Sequence, residues 1–143
     1  MFILSETQQS NVIEAIKIAE TNTSGEIKVH IESTCAHASP FDRAKEVFEY
    51  LLLHKTANRN GVLFYVAYED RKFAILGDKG INEKVGADFW NSTVELLKEH
   101  FKKGDFENGL IAGINEAGLK LKEYFPFLKT DKNEISDDLS IGH

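Results

Sequence analysis

An α/β fold, specifically a three-layer α/β/α sandwich with a small mixed central sheet, is predicted by three features of this 143-residue chain. Segments with two-residue apolar alternation, or continuous apolar character, are interleaved with segments whose apolar residues recur at three- and four-residue steps. A strand, a helix and a second strand follow one another in the order of a right-handed βαβ crossover, so those two strands should be parallel. The second strand is joined by a short polar connection to a third, which must run back antiparallel, and the sheet is therefore mixed.

The elements follow in order. Ser5 and Gln8 offer a capping box, and Val12, Ile13, Ile16 and Ala19 recur at helical spacing, predicting a first helix over 5–21. "TNTSG" breaks it, and "EIKVHIES" then alternates Ile27, Val29 and Ile31 with Lys28, His30 and Glu32, a strand over 26–33 with one wet face. Ser39 and Pro40 start a second helix, with Phe41, Ala44, Val47, Phe48, Leu51 and Leu52 as its buried stripe and an end near "TANRNG". "VLFYVAY", 62–68, is apolar on both faces, as in a strand covered on both sides; "EDR" connects it to "KFAILG", 72–77. Trp90, Val94, Leu97 and Phe101 mark a third major helix ending in "KKGD". Asp105 caps a last one, with Leu110, Ile114, Ala117 and Leu121 as its stripe and Gly109 with Gly113 as a smooth flank for close packing. Residues 1–126 are expected to form one compact domain, and 127–143 a polar, acidic, flexible or loosely docked tail.

Composition narrows the function. A formal net charge of -6 with interspersed signs lacks the clustered basic face of a nucleic-acid binder. Cys35 is the single cysteine, which excludes an internal disulfide and a cysteine-based zinc site. The segment "MFILSETQQS" has no basic flank or cleavage signal, and no run of about 18 apolar residues occurs. A cytoplasmic protein with no membrane span of its own is the expectation. Neither a P-loop nor a dinucleotide fingerprint is present, and the five histidines read as surface or structural residues.

The predicted topology brings remote polar residues to one end of the sheet. If the strands at 26–33 and 62–68 are parallel, their starts share an end, and the antiparallel strand at 72–77 finishes there. Glu26, Asn60 and Asp78 should therefore converge, with Asp88 near the start of the helix that follows. Three carboxylates and an amide oxygen make a hard, oxygen-only shell suited to Ca²⁺ or Mg²⁺. Taken one at a time, each of these residues is better explained as a strand end, a helix start or a turn, and only their convergence on one sheet end brings a shared site level with that explanation.

The phrases "SGEIKVHI", "RNGVLFYVAYEDRKFAILGDKGI", "VGADFW" and "FKKGDFENGLIAGI" resemble, in order and over about residues 5–125, the TPM domain of thylakoid-lumen photosystem II repair proteins and their bacterial relatives. The resemblance implies an α/β/α sandwich and divalent-cation binding, with Glu26, Asp78 and Asp88 as the carried-over acidic positions. Arg59, Asn60 and Lys79 would support the site or bind an anionic ligand. It implies an accessory or protein-interaction role, with a protein partner that could be membrane-associated; the alternative it implies is a metal-dependent acid phosphatase. Many relatives carry a tyrosine-and-glycine phrase where this chain has "LGDKGINE".

Overall fold

The computed structural model describes residues 3–127 and 139–142. These fall into two compact units, one formed by residues 3–25 and 86–127, the other by 26–85 and 139–142. The α/β class and the small mixed sheet are those predicted from sequence.

The helical unit holds α1 (Glu6–Glu20), α4 (Asn91–Lys102) and α5 (Phe106–Tyr124). Ser5 caps α1 through the expected capping box: its hydroxyl accepts from the Gln8 N–H, and the Gln8 side chain accepts from the Ser5 N–H. Helix α5 packs against both of the others at positions without a Cβ. A Cβ on Gly109 would lie 2.8 Å from the Phe101 ring of α4, and one on Gly118 would lie 2.9 Å from Cβ of Ala19 of α1. Gly109 thus has the close-packing role expected of it; Gly118 has the same role. Past α5, the Ser24 N–H donates to the Phe125 carbonyl at 2.9 Å, and the Thr23 hydroxyl donates to the same carbonyl.

The sheet unit has strand order β3-β2-β1-β4, with β1 (Glu26–Glu32), β2 (Gly61–Ala67), β3 (Lys72–Gly77) and β4 (Ser140–Ile141). β1 pairs parallel with β2 in the register Glu26↔Gly61 through Glu32↔Ala67, and β2 pairs antiparallel with β3 from Val62↔Gly77 to Ala67↔Lys72. Helix α2 (Pro40–Tyr50) makes the crossover, with Ser39 as its cap and Pro40 at its start. It lays Ala44, Val47 and Phe48 on Leu63, Tyr65, Ala67 and Ala74, one face of the sheet. Val62, Phe64 and Val66, on the other face of β2, are buried too.

Three sequence expectations change. Phe41 and Leu52 were assigned to the buried stripe of α2, yet each is about half exposed; α2 ends at Tyr50, and Leu52 takes a left-handed conformation (φ 61°) that starts the one-turn 3₁₀ helix Leu53–Lys55. The face of β1 expected to be wet is buried: Lys28, His30 and Glu32 are 6%, 5% and 8% exposed. This face is in register with Leu63, Tyr65 and Ala67, on the side of the sheet where α2 lies, so its polar groups must find partners inside the protein. Finally, the tail expected over 127–143 contains β4, whose Ser140 and Ile141 pair parallel with His30 and Ile31. Residues 128–138 and 143, the rest of that tail, lie outside the described residues.

The turn into β2 leaves no room for a side chain on Gly80, which opens the short helix α3 (Lys79–Asn82) with Lys79. A Cβ there would lie 2.2 Å from the Asn58 carbonyl oxygen and 2.6 Å from that of Arg59, both backbone atoms. Gly80→Ala should therefore destabilise the fold by about 3 kcal/mol, the upper range of overpacking costs. Gly86→Ala, where nothing lies within 4 Å of the added atom, should stay within about 0.5 kcal/mol of the parent. Chemical denaturation of both variants measures the difference.

Candidate functional site

The strand register places Glu26, the first residue of β1, beside Gly61, and Gly77, the last of β3, beside Val62. Asn60 and Asp78 flank those positions, so Glu26, Asn60 and Asp78 share one end of the sheet. All three are buried, at 3%, 1% and 6% exposure. The Asp78 N–H donates to the Gly61 carbonyl at 2.9 Å, which ties the end of β3 to the start of β2.

Local backbone geometry sets up the surroundings of Asp78. Arg59 adopts φ 50°, a left-handed conformation that reverses the chain just before β2. In this turn the Asn60 N–H donates to the Thr56 hydroxyl at 3.2 Å, and the Arg59 carbonyl accepts from the Gly80 N–H at 2.8 Å. The reversal also aims the guanidinium at Asp78: Nε donates to Oδ2 at 2.7 Å and Nη2 to Oδ1 at 2.9 Å, a two-pronged ion pair. Oδ1 accepts in addition the Lys79 N–H at 2.8 Å, capping α3. The hydrogen bond to Asp78 raises the Arg59 pKa above its ordinary value. Lys79 points outward, with its ammonium 3.9 Å from Glu83 and both side chains largely exposed. An open cavity of about 620 Å³ adjoins this corner, with Phe48 and Leu76 among its apolar lining and Lys45, Arg59, Asp78 and Lys79 among its charged groups.

This arrangement answers part of the oxygen-ligand expectation. The expected oxygen donors of the sheet unit are at one end, but both carboxylate oxygens of Asp78 are engaged by Arg59. Among the described residues, no group of three or more His, Cys, Asp or Glu side chains is arranged to hold a metal ion. As the side chains stand, a cation does not fit at Asp78 without displacing the guanidinium. Asp88 belongs to the helical unit; it is exposed, and its carboxylate accepts from the Asn91 side chain at 3.3 Å.

A second polar cluster occupies the opposite end of β1, and sequence reasoning missed it. Glu32 is its centre. Arg43 of α2 donates through Nε to Oε2 and through Nη2 to Oε1, each at 2.9 Å; the Tyr65 hydroxyl of β2 donates to Oε2; His30 Nε2 lies 3.1 Å from Oε1. His30 stacks on the Tyr65 ring, with centroids 6.0 Å apart, and its Nδ1 is 2.8 Å from the Ser140 hydroxyl. Arg43 continues to Glu46, which also meets His37. Burial alone would raise the Glu32 carboxyl, but the bonds from Arg43, Tyr65 and His30 outweigh it and hold it at about 2. Burial together with the bond to Glu32 pushes the Tyr65 hydroxyl well above the usual phenol range. Two signals were present in the sequence: three ionisable residues on one face of one strand, and a tyrosine inside the otherwise apolar "VLFYVA". Each implies a buried partner once that face of β1 is known to be covered.

Comparison with known proteins settles the family. Residues 2–119 match the TPM domain family. The chain belongs to the TPM domain family. The BA42 protein of the psychrophilic bacterium Bizionia argentinensis, solved by NMR, is 46% identical over 97% of this chain and 95% of that one, with a TM-score of 0.91. The N-terminal domain of the cg2496 protein from Corynebacterium glutamicum, at 13% identity and a TM-score of 0.64, covers 98% of this chain and 81% of its own and shares the fold alone. No curated protein matches significantly. Among the described residues of this TPM domain, no helix is long and apolar enough to cross a membrane.

The Glu32 cluster sets a pH window. A carboxyl held at about 2 against an ordinary 4.5 contributes stability that is complete above about pH 4.5 and is lost as pH falls from there through 2. Glu32→Gln should be less stable than the parent at neutral pH and should flatten this acid limb, as followed by circular dichroism. Arg43→Ala leaves the buried carboxylate short of its strongest partner and should cost about 2–3 kcal/mol, the lower part of the range for broken buried pairs, because Arg43 is itself 30% exposed.

Proposed function

We propose that this TPM domain is a divalent-cation-binding module, taking Ca²⁺ or Mg²⁺ at the sheet end of Glu26, Asn60 and Asp78, and that it serves as an accessory or protein-interaction domain. One observation carries the reading: the parallel register of β1 and β2 and the antiparallel return of β3 put these oxygen-bearing residues at one end. Carboxylate and amide oxygens suit hard cations. Binding requires an exchange, in which the cation replaces the Arg59 guanidinium as the partner of Asp78. Arg59 is well placed to leave, since its side chain is 45% exposed while that of Asp78 is 6% exposed, and water can solvate the released guanidinium. The interaction role is supported by Phe41, Tyr50 and Leu52, large apolar side chains on α2 and just past its end that are 49%, 80% and 54% exposed. Partner proteins cover side chains of this kind.

The alternative, a metal-dependent phosphoester hydrolase, draws on the open cavity beside Asp78, where Lys45, Arg59 and Lys79 offer positive charge to a phosphoryl group. Turnover of an aryl phosphate that requires Mg²⁺ and is abolished in Asp78→Asn would favour it over the binding module.

Titration of Ca²⁺ or Mg²⁺ into the ¹⁵N-labelled protein tests cation binding. Amide shifts should move first around Glu26, Asn60 and Asp78, and Asp78→Asn should abolish the response. Arg59→Gln removes the competing guanidinium and should tighten binding by about two- to fivefold, the scale of a partly exposed ion pair. Asp88→Asn tests the remaining expected ligand in the same titration. Shifts confined to the acidic stretch at 131–138 would overturn the assignment.

A further inference from the structure

The contact between β4 and the His30–Glu32 pair belongs to neither proposed activity. Residues 140–142 cover that pair through three contacts. Ser140 sits opposite His30 in the parallel register, with its hydroxyl 2.8 Å from Nδ1. The Gly142 N–H donates to the Ile31 carbonyl at 2.9 Å. Gly142 also lies directly against the pair: a Cβ there would be 2.9 Å from Oε1 of Glu32 and 3.1 Å from Nε2 of His30.

The protonation state of His30 follows from its neighbours. Glu32 is ionised and can only accept, so Nε2 carries the proton of the neutral ring and Nδ1 accepts from the Ser140 hydroxyl. Among the described residues, the charged and titratable groups around the ring are Glu32 and Lys28 on β1, Tyr65 on β2, and Arg43 of α2 acting across Glu32. Glu32 is the only anion among them, and Arg43 already neutralises it. A further cation beside Arg43 and Lys28 in this buried place is poorly solvated, and Ser140 would have to turn its hydroxyl from donor to acceptor.

We propose that residues 139–142 form a proton-released strap over the His30–Glu32 cluster, docked while His30 is neutral and detached when His30 takes up a proton. Detachment admits water to the imidazolium and frees the β1 edge at His30 and Ile31 for pairing. The sign follows from linkage. Burial lowers the pKa of His30 in the docked state, against the opposing pull of Glu32. Docking is therefore at full strength above the pKa of the released state, and weakens as pH falls through it, by up to about tenfold per pH unit until the docked pKa is reached.

The test uses the full chain. Histidine ring resonances report the His30 titration, and hydrogen exchange reports protection of the Gly142 N–H, corrected for the intrinsic rate. Protection at Gly142 should fall in step with protonation of His30, while amides of the β2–β3 ladder stay protected. Gly142→Val, which pushes the strap off the pair, should raise the His30 pKa, and His30→Gln should make Gly142 protection independent of pH. Gly142 protection that stays flat through the His30 titration would overturn the proposal. So would a Gly142→Val protein with an intact β2–β3 ladder and an unchanged His30 pKa. Both remain decisive if His30→Gln fails to fold.

Discussion

Parallel pairing of β1 with β2 is the constraint on which both polar ends of the sheet unit depend. With Glu26 opposite Gly61 and Glu32 opposite Ala67, the start of β1 meets the turn carrying Arg59 and Asn60, and its end meets Tyr65 and the crossover helix. A one-residue slip would turn every β1 side chain to the other face. Ile27, Val29 and Ile31 would then face α2, and Glu32 would lose Arg43 and Tyr65 together. The crossover through α2 imposes the parallel direction, and the apolar alternation of β1 imposes the register.

The two ends differ in how firmly their charges are held. At the end of β1, Glu32 has four donors from three elements and takes part in folding as much as any apolar residue does. At the start of β2, Asp78 is held by one half-exposed arginine and one helix-capping N–H. A cluster of the first kind holds its carboxylate in place, because removal of Arg43 or Tyr65 leaves a buried charge short of partners. A pair of the second kind can exchange its partner at small cost, which is the property a binding site needs.

Much of this was legible in the sequence, for identifiable reasons. Helical stripes and caps marked α1, α2, α4 and α5, and the βαβ order gave the strand directions that bring Glu26, Asn60 and Asp78 together. What stayed hidden depends on context that local pattern does not carry. The polar alternation of β1 implies solvent beyond one face, but α2 lies on that face and brings Arg43 to Glu32, and Ser140 and Gly142, far along the chain, close over His30 and Glu32. A supporting role for Arg59 beside a carboxylate is legible in the sequence, but its two-pronged pairing with Asp78 is not, because that depends on a positive φ at a non-glycine residue. Phe41 and Leu52 looked buried because their spacing fits α2, but the helix ends before Leu52 and its first turn leaves Phe41 in water.

The exchange of guanidinium for cation at Asp78 is the central claim, and the Arg59 Nε–H signal reports it most directly. In ¹⁵N spectra of the cation-free protein this proton should be slowed in exchange with water by its 2.7 Å bond to Oδ2. Saturating Ca²⁺ or Mg²⁺ should return it to the fast exchange of a free arginine side chain. An Arg59 Nε–H that keeps its shift and its protection at saturating cation would contradict the account.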